Sequence, residues 1–148
     1  MFRKTVLLLV IFLLPAISAS GEDFIGGLRK VKGSGTVIRD GKRIAAQNGV
    51  RIIMGDRLIT GSDGAMGAIF TDNTRISLGA DTEITITRYI YNPKEGVFAF
   101  LTSMAQGTAS YISGVMNKMA PDSVQFKTPT ATVGIRGTHF LVKVEPEG

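Results

Sequence analysis

Glycine, and the company it keeps, constrains this chain most. Eighteen glycines are spread over 148 residues. Many stand beside Asp, Asn or Ser: Asp40-Gly41, Asn48-Gly49, Gly55-Asp56 and Gly61-Ser62-Asp63-Gly64. These pairs are turn chemistry, because they tolerate the left-handed backbone that tight hairpins need. Between them lie short segments rich in Val, Ile, Thr and Phe. No segment sustains an apolar period of 3.6 residues over three turns. The chain therefore reads as all-β, a single domain of short antiparallel strands, shaped either as a sandwich or as a twisted β-solenoid-like roll.

The individual segments follow from the same punctuation. Val31 to Arg39 reads as a strand and Lys42 to Ala46 as its hairpin return, after a loosely ordered lead from Gly21 to Gly27. Arg57 to Thr60, Ala65 to Phe70 and Thr74 to Leu78 are separated by loop residues, the last two by Asp72-Asn73. Glu83 to Tyr91 places Ile84, Ile86 and Arg88 on one face and Thr85, Thr87 and Tyr89 on the other. Val97 to Met104 is buried on both faces if Phe98 and Phe100 point to opposite sides. Gly107 bends the chain before Thr108 to Ile112. Val115, Met116 and Met119 fit one turn of helix, and Ser123 to Thr128 and Thr138 to Val144 close the set. Three polar corners, at Asp56, Asn73 and Thr82, give a weak internal repetition of the kind a solenoid shows.

The N-terminus reads as an address. Arg3 and Lys4 precede the apolar run Thr5 to Leu14, Pro15 breaks it, and small residues follow to Gly21. This is the three-part plan of a secretory signal, with Ser18 and Ser20 at −3 and −1 of a cut after Ser20. Residues 1–20 are expected to be the signal peptide and 21–148 the mature domain, periplasmic or secreted after cleavage. The apolar run is too short for a spanning helix, which needs about 20 residues, so no stable membrane span is expected.

Composition closes several functional classes. With no cysteine, disulfides, zinc–thiolate sites and thiol nucleophiles are excluded. The formal charge of +5 includes Arg3 and Lys4. The remaining basic residues are scattered, densest at Arg29, Lys30 and Lys32, without the stripe of cations and stacking aromatics of a nucleic-acid binder. His139, the only histidine, has no Cys or His to share a metal with and sits in a strand pattern. No metal and no cofactor is expected.

The candidate sites each have a plain alternative. Arg136 lies in Gly134-Ile135-Arg136-Gly137, followed by Thr138. Its planar fork suits a carboxylate on a partner, or an internal pair with Asp56 or Asp72. Gly55-Asp56 and Asp72-Asn73 read as structural turns whose carboxylates accept backbone N–H groups. Asp81 and Glu83, two apart, have the spacing of a carboxylate pair for glycoside hydrolysis or calcium, or of solvent-facing charge. Tyr89, Tyr91, Tyr111, Phe98 and Phe100 would make either a sugar-stacking platform or core.

Several stretches taken in order resemble the FecR-type periplasmic domain. Gly55-Asp56-Arg57-Leu58-Ile59-Thr60-Gly61 is similar to that family's first corner. Ala68 to Leu78 is similar to its hairpin, with Asn73 where the family often has Gly. Gly107 resembles its bend, and Val124 to Phe140, with Thr128-Pro129 and Gly137-Thr138, its closing segment. The resemblance spans about Gly33 to Val144. It implies an all-β extracytoplasmic module without enzymatic activity, which binds a protein partner in envelope signalling or assembly. A glycan- or peptidoglycan-binding module is the alternative. The family's relay to a sigma factor needs a membrane helix and a cytoplasmic segment, neither of which is read here.

Overall fold

Strand pairing in this chain is organised around one long strand that two half-sheets share. The computed structural model describes residues 23–146, and the targeting segment lies outside them. The strands are β1 (Phe24–Lys32), β2 (Gly35–Arg39), β3 (Lys42–Ala45), β4 (Arg51–Ile53), β5 (Arg57–Thr60), β6 (Ala65–Phe70), β7 (Arg75–Leu78), β8 (Glu83–Asn92) and β9 (Val97–Ile112). After these come the short helix α1 (Val115–Met119), a 3-10 turn at Pro121–Ser123, and strands β10 (Val124–Lys127), β11 (Thr132–Gly134) and β12 (His139–Val144).

The sheet runs β3-β2-β5-β8-β9-β7-β6-β1-β4, with β10, β11 and β12 branching from it. The first part of β9 pairs with β8 and, in parallel, with β10. Its last six residues pair with β7 and β12. Gly107 sits at the change of partners with φ +102°, where a side chain would collide with Thr82. The expected bend is thus a change of partners within one strand.

The sheet curls so that its two halves pack face to face. Phe70 of β6 lies 5.5 Å from Tyr89 of β8 and 4.9 Å from Phe100 of β9, between ring centroids. Leu28, Ile52, Leu58, Ile76, Ile84 and Ile86 complete a fully buried centre. Burying each such side chain contributes about 1.5–3 kcal/mol, so this cluster holds the halves together.

Several expectations are met closely. Asp40 and Gly41 have φ of 51° and 74°, the double left-handed turn that an Asp-Gly hairpin requires. Asn73 also has positive φ, 68°, and α1 forms where one helical turn is expected.

Others are corrected. The lead Gly21 to Gly27 is not loose throughout, because β1 begins at Phe24. Gly26 lets the strands close up: a Cβ there would lie 2.5 Å from the Ile69 carbonyl oxygen. The strand expected over Val31 to Arg39 breaks at Gly33, leaving β1 and β2 separate. Tyr89 faces the core rather than standing with Thr85. The β8–β9 register slips by one residue between Ile86 and Arg88, a bulge at Thr87 that reverses which side chains point inward. Phe98 and Phe100 share a face, and β9 buries one side of this stretch, through Phe100, Thr102 and Met104. The three polar corners do not stack as solenoid rungs, since β5 and β8 pair antiparallel with each other while β7 lies between β6 and β9.

Candidate functional site

The C-terminal stretch beginning at β10 doubles back through Pro129 and Thr130 into β11, turns a corner at residues 135–138 and returns as β12. Ile135 is buried and pins the corner from within. Gly137, at φ +114°, turns its carbonyl inward to accept hydrogen bonds from Ser113 Oγ and Asn117 Nδ2, both at 3.0 Å. The Ser113 amide donates to the Thr138 carbonyl at 2.9 Å. His139 Nε2 lies 2.9 Å from Ser110 Oγ, an ordinary cross-strand contact. The corner is therefore a fixed platform tied to the end of β9 and the start of α1.

Arg136 projects from that platform. Its side chain is 86% exposed, and its one ion pair, 3.7 Å to the 92% exposed Asp122, contributes almost nothing to stability. It pairs with neither Asp56 nor Asp72, contrary to the internal-pair expectation.

Strand β11 is an open edge. Among the described residues it pairs only with β10, and Thr132, Val133 and Gly134 are all exposed. The amide of Thr128 donates to the Ala131 carbonyl and that of Ile135 to the Val124 carbonyl. Antiparallel alternation then directs the N–H and C=O groups of Thr132 and Gly134 away from β10, toward the free side. A Cβ at Gly134 would meet no atom within 4 Å. Next to the hairpin, a hollow of about 260 Å³ opens between Thr128–Thr130 and Lys143–Glu145.

The expected structural turns carry buried carboxylates. Asp56, beside Gly55 at φ +92°, accepts from Arg39 Nε at 2.9 Å, Arg39 Nη2 at 2.7 Å and the Ile53 amide at 3.0 Å. Asp72 accepts from the Thr74 amide and hydroxyl, the Tyr89 hydroxyl and the Met116 amide. It thereby clips the β6–β7 turn to α1. Sequence reasoning missed Arg39 and Met116, whose roles depend on contacts 17 and 44 residues away in the chain.

The remaining candidates separate. Glu83 pairs with Arg57 at 3.3 Å, while Asp81 occupies a left-handed turn position at φ 49°. Tyr89 and Tyr111 are core residues rather than a sugar platform. Burial pushes both hydroxyls well above the usual tyrosine range. Tyr91 and Phe98 are half-buried and pack on each other at 6.1 Å. Among the described residues, no group of three or more His, Cys, Asp or Glu could hold a metal. No described helix is long and apolar enough to cross a membrane.

No curated protein and no solved structure matches the chain. The family described as FecR protein matches residues 56–148, more than half of the sequence, starting at the buried Asp56 and including β5 to β12. The domains of that family are extracytoplasmic and serve regulation in envelope signalling, not catalysis. On the strength of that match, the chain belongs to the FecR family.

Proposed function

We propose that this chain is a non-enzymatic extracytoplasmic β module that binds an envelope protein partner in signalling or assembly. The binding mode is β-augmentation: an extended segment of the partner pairs with the free edge of β11. Main-chain hydrogen bonds to Thr132 and Gly134 supply affinity, and side chains beside the edge supply selectivity.

The observation that carries this reading is the unguarded state of β11. Natural edge strands are protected by Lys, Pro, bulges or a covering loop. Thr132-Val133-Gly134 has none of these within the strand, and Val133 remains 43% exposed. Arg136, two residues beyond, offers a carboxylate on the partner a bidentate site. Gly137 and Thr138 set the angle at which it projects.

In this account residues 1–20 direct export and are removed, leaving 21–148 in the periplasm or outside the cell. N-terminal sequencing of the exported protein should begin at Gly21. A start at Met1 would contradict the leader. Partner binding is tested by recovering the tagged protein from mildly cross-linked cells of its host and identifying what comes with it. A dominant envelope protein supports the proposal. Glycan fragments without any protein contradict it.

A further inference from the structure

The half-sheet β4-β1-β6-β7-β9-β12 has an outward face whose composition follows from its registers. One row across it reads Arg51, Gly27, Ile69, Arg75, Ile112, His139. The next reads Arg29, Gly67, Ser77, Ser110, Leu141. Neither row carries a carboxylate.

The arginines on it are exposed, and among the described residues none of them makes an ion pair. Arg29 Nη1 donates to the Leu28 carbonyl at 2.9 Å, and the Arg51 guanidinium lies 4.3 Å from the centre of the Phe24 ring. Arg75 makes no ion pair among the described residues. Lys143, at the margin, is neutralised by Glu145 at 3.2 Å and adds no net charge to the face. At the other margin, Lys30 and Lys32 flank a shallow hollow of about 200 Å³ that Gly67 and Ser77 help to line. The Ser77 hydroxyl makes no hydrogen bond among the described residues, so the hollow holds an uncommitted O–H donor and two lysines in its lining. That is the chemistry of a phosphate site.

Two apolar side chains stand free on the same face: Ile112, 43% exposed, and Leu141, 71% exposed. We infer that this face docks on a phospholipid surface rich in anionic headgroups. Arg29, Arg51, Arg75, Lys30 and Lys32 meet the phosphates, and Ile112 and Leu141 enter the acyl boundary. Free aliphatic side chains between cations suit lipid. The β11 edge lies in the other half of the sheet, away from Arg29, Arg51 and Arg75.

The test is sedimentation with vesicles of phosphatidylcholine alone or with phosphatidylglycerol added, using protein isolated from the envelope after its natural processing. The face variant is R29E/R51E/R75E. The control K42E/R43E/K94E makes the same charge change at exposed positions of the other half. Each basic residue near an anionic surface is worth roughly fivefold in partitioning, so the face variant should lose at least tenfold. Wild type and control should bind the anionic vesicles alike, more weakly as salt rises. If charge reversal unfolds the protein, R29Q/R51Q/R75Q should show the same order. Equal loss in both variants, equal binding to neutral vesicles, or retention on duplex DNA without vesicle binding would overturn the inference.

Discussion

Arg39 holds Asp56 through two parallel hydrogen bonds, Nε to Oδ1 at 2.9 Å and Nη2 to Oδ2 at 2.7 Å. The Asp56 side chain is 1% exposed and that of Arg39 25%. Arg39 also donates to the Arg51 carbonyl at 2.8 Å. One side chain thus joins the β2–β3 hairpin to β4 and to the first residue of the family-matched region. Removing it leaves a buried charge held by the Ile53 amide. Arg39→Ala should cost about 3 kcal/mol, read as a lower urea midpoint. A loss under about 1 kcal/mol would mean that water replaces the guanidinium.

Two glycines with positive φ should respond very differently to alanine. Gly41 has φ +74°, and a Cβ there would meet nothing within 4 Å, so Gly41→Ala should cost only the left-handed strain, about 1 kcal/mol. Gly107 adds a collision with the Thr82 backbone, in the strand that both half-sheets share. Gly107→Ala should cost about 3 kcal/mol or prevent folding. Thermal unfolding of the two variants side by side checks the order.

Alkaline stability should be limited by Tyr89 and Tyr111. Burial raises both hydroxyls above their ordinary value. The folded state keeps them protonated where the unfolded chain already ionises. Their contribution is full below about pH 10 and declines as pH rises toward the folded values. With both groups acting, stability should fall by about 2.7 kcal/mol per pH unit in that window. Phenolate absorbance from these two residues should then appear together with loss of structure. Its appearance in a still-folded protein would contradict their burial.

Arg136→Ala should leave the melting temperature unchanged, because its pair with Asp122 is solvent-exposed and such pairs add little. Recovery of the envelope partner should fall. Loss of folding would move Arg136 to a structural role.

The sequence is most legible where one residue type answers a local backbone demand. Asp40-Gly41 and Asn73 mark turns that are present, and a one-turn helix forms at Val115–Met119. Whatever depends on register is hidden. An extra residue at Thr87 turns Tyr89 inward, whereas alternation alone places it on the opposite face. Arg29, Arg51 and Arg75 look like scattered charge, since only the pairing of β4, β1, β6 and β7 brings them onto one surface. Arg136 stands out by its flanking glycines, but its partner does not: Asp56 already has Arg39, 17 residues earlier. Which strand of the C-terminal stretch is the open edge is equally hidden, because an edge is defined by which strands fail to arrive.

If the free side of β11 receives a partner strand, Gly134→Pro should abolish that pairing. Proline removes the outward amide of Gly134 and is tolerated at an edge position whose N–H faces solvent. Pairing to β10 through Val133 and Ile135 is left in place. Co-purification from cross-linked cells, alongside a melting curve for each protein, should show unchanged melting and loss of the partner recovered with wild type. Full recovery of that partner by a folded Gly134→Pro protein would contradict the account.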